Sequence, residues 1–141
     1  MKTPILEKFK HYFSPIDFNN LSILDEIYSD NIIFKDPINK INGIENLKAY
    51  FQKLNGNLIE GSFHFTGESV IGSKAFLSWE MDLKLKRPKK NVKASGISVL
   101  IIEDKIISQR DYFDAGELFY ENIPILGGII RSIKKKLKAP F

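Results

Sequence analysis

The chain changes texture at Gly56: before it apolar residues recur at three- and four-residue steps, after it they alternate in short runs of period two. Thr3 and Pro4 open a first helix, with a capping hydroxyl and a proline where no N–H is needed. Ile5, Leu6, Phe9, Tyr12 and Phe13 form its apolar stripe. Ser14-Pro15 interrupts, and a second helix over roughly 18–28 carries Leu21, Leu24, Ile27 and Tyr28. Residues 31–35 read as a strand. A third helix, 44–54, follows Gly43 and gathers Leu47, Tyr50, Phe51 and Leu54 on one face.

Beyond Gly56, Phe63 and Phe65 alternate with Ser62, His64 and Thr66 over 61–66, which predicts a strand with one buried side and His64 on the exposed one. Val70-Ile71, a turn at Gly72-Ser73 and a long strand over 74–86 come next. A turn at 87–91 leads to strands over 92–102 and 105–113, joined at Glu103-Asp104. Helices with one early strand, followed by a strand meander, imply an α+β fold: a curved antiparallel sheet wrapped around the N-terminal helices. Such a sheet makes a cone whose mouth can hold a ligand.

Residues 1–115 carry this pattern and form the expected ligand-pocket domain. The remainder, 116–141, reads as a C-terminal extension. Ile123, Leu126, Ile130, Ile133 and Leu137 recur at helical steps, with Arg131, Lys134, Lys135 and Lys138 on the other side. An amphipathic helix with a basic face suits peripheral contact with an anionic membrane. It equally suits a helix docked on the sheet or on a partner subunit, or a lid over the mouth.

Composition narrows the classes. At 141 residues the chain can bury a core without staples. It has no cysteine and two histidines, so disulfides, thiolate chemistry and zinc clusters are excluded, and no metal or cofactor is implied. The net charge of +4 comes mainly from residues 131–141 and the lysines around Arg87, leaving the body near neutral. No basic stripe with interleaved aromatics argues for nucleic acid. The first ten residues lack the apolar segment of a signal peptide, and no run approaches a membrane span of about 18 apolar residues. A cytoplasmic protein is expected.

Two acids are the candidates for chemistry. Asp36 ends the first strand before Pro37, which has no N–H and biases Asp36 towards extended geometry. Such an acid is either a general base at the sheet's rim or the side chain of an Asx turn. On the last strand, period two puts Gln109, Asp111 and Phe113 on one face and Arg110, Tyr112 and Asp114 on the other. If Phe113 faces inward so does Asp111, which then needs a wet cavity or a partner. Tyr12 is core by pattern, yet its buried hydroxyl needs a partner. Trp79, on a central strand, reads as wall or core.

These residues carry a resemblance to the nuclear transport factor 2-like superfamily, spanning about 5–115. Ketosteroid isomerases pair a helix-1 tyrosine with an aspartate before proline at the separation of Tyr12 and Asp36, across a turn similar to Tyr28-Ser-Asp-Asn31. The isomerase resemblance implies Asp36 as base and Tyr12 as hydrogen-bond donor to an enolate oxygen. Ser98 stands where isomerases carry a protonated aspartate. Arg110-Asp-Tyr-Phe-Asp114 resembles the last strand of limonene-epoxide hydrolases and SnoaL-like proteins. Glu80-Met-Asp82 is the nearest counterpart of the hydrolases' Arg-x-Asp pair. Together the resemblances imply a pocket for a small hydrophobic molecule, with Asp36, Tyr12 and Asp111 as catalytic groups and Trp79, Ser98 and Phe113 in contact with substrate. They also imply a homodimer through the sheet's outer face. Isomerase, cyclase, dehydratase and hydrolase chemistry all suit these parts, and so does non-catalytic binding of a hydrophobic ligand or lipid.

Overall fold

A computed structural model describes residues 3–87 and 89–114. The expected C-terminal helix, and with it the choice between anchor, docked helix and lid, lies outside the described residues.

Helix α1 (Thr3–Phe13) is followed by a single 3₁₀ turn (Leu21–Ile23) running into a four-residue α2 (Leu24–Ile27). The chain then enters β1 (Tyr28–Lys35), the short β2 (Lys40–Asn42), α3 (Ile44–Asn55) and four strands: β3 (Leu58–Ile71), β4 (Lys74–Lys86), β5 (Lys89–Ile102) and β6 (Ile106–Phe113). The strands form one open sheet in the order β2-β1-β6-β5-β4-β3. The α+β architecture is therefore as expected, a curved sheet with the helices on one face. Neighbouring strands pair antiparallel except β1 and β6, which run parallel, so the sheet is not antiparallel throughout. No described helix is long and apolar enough to cross a membrane.

Four details depart from the sequence pattern. The second helix is shorter than 18–28, and Tyr28 begins a strand with φ −109° and ψ 145° instead of ending a helix. The stripe Leu24, Ile27, Tyr28 continues inward across that junction, all three residues being fully buried. The pieces expected at 61–66 and 70–71 are one strand, β3, with irregular register near Leu58 and between Phe65 and Gly67. Strand β2 gave no periodic signal. Leu54 is 42% exposed, off the face that buries Leu47 and Phe51.

The main core lies between helices and sheet. Leu6, Phe9, Tyr12 and Phe13 of α1 and Leu47 and Phe51 of α3 pack with Ile32, Phe34, Leu77, Leu100 and Ile106 of the strands. Its aromatic rings interlock, with Phe18 stacked on Phe51 at 4.7 Å and Phe13 edge-on to Phe51 and Phe63. A second apolar cluster sits further along the same sheet face: Trp79, Met81, Val92 and Ala94, flanked by Phe63, Phe65 and Phe113. Asp111 belongs between the two clusters, since it pairs across strands with Ser98, whose neighbours on that face are Gly96 and Leu100.

Candidate functional site

The turn after β1 is built around Asp36. Its Oδ1 accepts hydrogen bonds from the N–H groups of Ile38 (2.8 Å) and Asn39 (2.7 Å), and its own N–H donates to the Asn39 carbonyl at 2.9 Å. Pro37 has no N–H, so the first donors within reach are the next two residues. Asp36 is thus an Asx-turn residue, one of the two readings its sequence allowed, and it is nevertheless only 8% exposed. Its Oδ2 is turned to α3, where the Tyr50 hydroxyl donates to it at 3.3 Å while accepting from Asn39 Nδ2 at 3.4 Å. Burial, and then the Asp36 charge, holds the Tyr50 phenol protonated well past its ordinary range.

Asp111 is placed differently. Its Oδ1 accepts from Ser98 Oγ at 2.6 Å and from Gln109 Nε2 at 3.0 Å. Each of those donors is itself approached from behind. Trp79 Nε1 donates to Ser98 Oγ at 2.9 Å, and the Tyr28 hydroxyl donates to Gln109 Oε1 at 2.6 Å. Ser98, Gln109, Trp79 and Tyr28 are all buried. Among the described residues Oδ2 accepts no hydrogen bond and no salt bridge reaches either acid. Asp111 keeps some surface, but desolvation dominates its carboxyl and lifts it to about 6. The Ser98 and Gln109 bonds oppose that rise, and the negative charge of Asp36 adds to it. The two acids are thus electrostatic neighbours, although far apart in the chain.

Of the expected site residues, the fold brings Asp111, Ser98 and Trp79 into one hydrogen-bonded chain and leans Phe113 on the Trp79 ring, 6.2 Å between centroids. Phe63 meets the indole edge-on at 4.8 Å, completing an aromatic wall. Tyr12 stands apart from this chain. Its hydroxyl is buried and has no hydrogen-bond partner, and burial, then the charge of Asp17, keeps it protonated. It borders a cavity of about 390 Å³ lined also by Lys8, His11, Asp17 and Glu26, on the helical side of the fold. A second cavity, about 340 Å³, is lined by Ser29, Asp30, Glu103, Asp104 and Lys105. Neither is lined by Asp36 or Asp111. His64 is exposed, as its strand register implied.

Sequence reasoning assigned no role to Tyr28, Tyr50 or Gln109. Gln109 had a usable signal, since period two puts it on the face of Asp111. Tyr50 had a weaker one, as the polar member of an otherwise apolar helix face. Among the described residues no group of three or more His, Cys, Asp or Glu is arranged to hold a metal ion.

Known proteins place this architecture. The structure is similar to TsrD from Streptomyces laurentii, with 16% identity over 83% of this chain and 90% of that one and a TM-score of 0.70. It is similar to a protein with a ketosteroid isomerase-like fold from Catenulispora acidiphila in complex with trimethylamine (12% identity, 82% and 88% covered, TM-score 0.72). It is also similar to a limonene-epoxide-hydrolase-like epoxide hydrolase from M. tuberculosis (15% identity, 92% and 94% covered, TM-score 0.67). At such identities the likeness establishes the fold alone. No curated protein matches the chain. The family model for the SnoaL-like domain matches residues 9–110, from the inward stripe of α1 to the strand that carries Asp111, and the chain belongs to that family.

Proposed function

We propose that this protein binds a small, largely apolar molecule against the Trp79–Phe63–Phe113 wall and moves a proton on it with Asp111. The observation that carries this reading is the asymmetry of the Asp111 carboxylate: Oδ1 is held by two donors, whereas Oδ2 has none among the described residues. A carboxyl near 6 in an apolar setting is a stronger base than an ordinary aspartate and is still mostly ionised at neutral pH. In this reading Asp111 takes the role of base that the isomerase resemblance gives to Asp36, because both Asp36 oxygens are engaged, Oδ1 by the turn and Oδ2 by the Tyr50 hydroxyl. Asp36 then holds Tyr50 and contributes negative charge. Tyr12, whose buried hydroxyl lies at the other, helical-side cavity, takes no part in this reading. Two acids that no basic side chain among the described residues pairs with favour a neutral or cationic ligand over a carboxylate or phosphate. The chemistry is of the isomerase, cyclase, dehydratase or hydrolase type, consistent with the family and with an epoxide hydrolase among its structural neighbours.

The second reading is a binding protein without catalysis, and the engagement of Asp36 in its turn favours it. One experiment separates the two. Trp79 is the chain's single tryptophan, so its fluorescence reports occupancy of the wall. A panel of cyclic ketones and 1-methylcyclohexene oxide is titrated against wild type and Asp111→Asn. Deuterium exchange α to the carbonyl and diol formation are followed in parallel. The enzyme reading expects turnover that rises with pH through about 6 and is lost in Asp111→Asn, with binding retained. Binding without turnover in both proteins selects the binder. No quenching by any compound removes the pocket itself.

A further inference from the structure

The chain of donors around Asp111 has a direction. An indole N–H donates and never accepts, so Trp79 fills a lone pair on Ser98 Oγ at 2.9 Å. Ser98 has one proton, which it gives to Asp111 Oδ1 at 2.6 Å. Without the indole, the Ser98 hydroxyl could turn towards other acceptors, strand carbonyls included. With it, the hydroxyl rotor is set. Backbone geometry supports the same arrangement. Trp79 pairs across strands with Gly96, and a Cβ on Gly96 would stand 2.6 Å from the indole Cη2 and 2.5 Å from the Tyr112 carbonyl oxygen. A bare Gly96 therefore lets the indole lie close over β5, where Nε1 meets Ser98.

We infer that Trp79 is a positioning residue for Asp111, acting through Ser98, and not merely part of an apolar wall. The indole N–H orients and polarises the serine hydroxyl, which steadies the Asp111 anion through Oδ1 and leaves Oδ2 without a donor among the described residues. The inference rests on reading Asp111 as the proton carrier, but its test needs no substrate. The other titratable groups that bear on Asp111 and its chain are Asp36 in the turn after β1, Tyr28 on β1, Tyr50 on α3 and, through Tyr28, Tyr12 on α1.

The indole N–H proton of Trp79 is a single, assignable NMR signal. In the wild-type protein it should shift with pH along one curve centred near 6, and the shift should vanish in Asp111→Asn. In a sample with ¹³C-labelled aspartate carboxyls, Ser98→Ala should raise the Asp111 midpoint by about one pH unit, the loss of one hydrogen bond to a charged group. Trp79→Phe keeps an aromatic ring and should raise it by about 0.3 unit, the smaller polarising share. An indole signal insensitive to pH in wild type, or one that still titrates in Asp111→Asn, overturns the inference. So does a Trp79→Phe protein whose Asp111 midpoint stays at the wild-type value. The first measurement needs no change at Trp79, so a poorly folding variant cannot shelter the idea. Failure here would leave the turnover and binding test of Asp111→Asn standing.

Discussion

Asp111 is an acid whose burial raises its proton affinity, and that has a consequence for stability with a definite sign. Its ordinary value of 3.8 describes the unfolded chain, and about 6 describes the folded one. Below pH 4 both states hold the proton, and Asp111 costs nothing. Between 4 and 6 the folded state keeps a proton that the unfolded state has released, so raising the pH weakens the fold. Above 6 the loss is complete, on the order of 3 kcal/mol. Asp111→Asn keeps an oxygen to accept from Ser98 and Gln109 but carries no charge. Urea unfolding of both proteins from pH 4 to 7 should show wild type losing stability relative to the variant, mostly between 4 and 6. All other acids are common to the two, so their contributions cancel in the difference. A difference that stays flat across that window would mean the carboxyl is well solvated, and the case for it as a tuned base would go with it.

At the scale of elements, β4 and β5 pair antiparallel with Trp79 opposite Gly96, and the indole lies close over that glycine. Gly96→Ala would force a methyl group to within 2.5 Å of a backbone oxygen on β6, which belongs to a paired strand and cannot swing aside. The expected cost is about 2 kcal/mol or more by overpacking, with altered Trp79 fluorescence, measured by urea unfolding. An unchanged midpoint and spectrum would show that the strands separate easily there. Much of this element-level picture was legible in sequence. Period two placed Asp111 and Phe113 on one face, and β4 was bounded correctly at 74–86 because two turn signals flank it and alternation runs from Leu77 to Lys86. Local signals were silent on β2, three residues long, and on the parallel pairing of β1 with β6. The buried bond from Tyr28 to Gln109 joins residues 81 positions apart, and nothing local in the sequence announces it. Asp36 shows the other limit. Its motif was visible, but that a turn takes up its Oδ1 depends on Ile38 and Asn39 pointing their N–H groups back at it.

The whole molecule has a second sheet face, turned away from the helices, and it is not polar throughout. Ile97 (45% exposed) lies directly across from Tyr112 (49%), with Ile33 (47%) on the same side two strands along. Phe76, Val99 and Ile101 extend the patch, and the Arg110 guanidinium sits 4.8 Å over the Tyr112 ring. Single exposed apolar residues need no explanation, but a contiguous group of them on one sheet face does. A second copy of the chain is the expected occupant, as the superfamily resemblance implied, because a two-fold axis sets the same apolar patch of both copies against each other. Light scattering coupled to size exclusion should give a dimer mass for wild type, falling towards monomer on dilution. Ile97→Lys puts a charge at the centre of the patch and should yield a monomer. Its Trp79 fluorescence should stay that of wild type, since position 97 faces away from the indole. A monomeric wild type at every concentration would leave the patch free for some other partner. A dimer indifferent to Ile97→Lys would place the contact elsewhere on the surface.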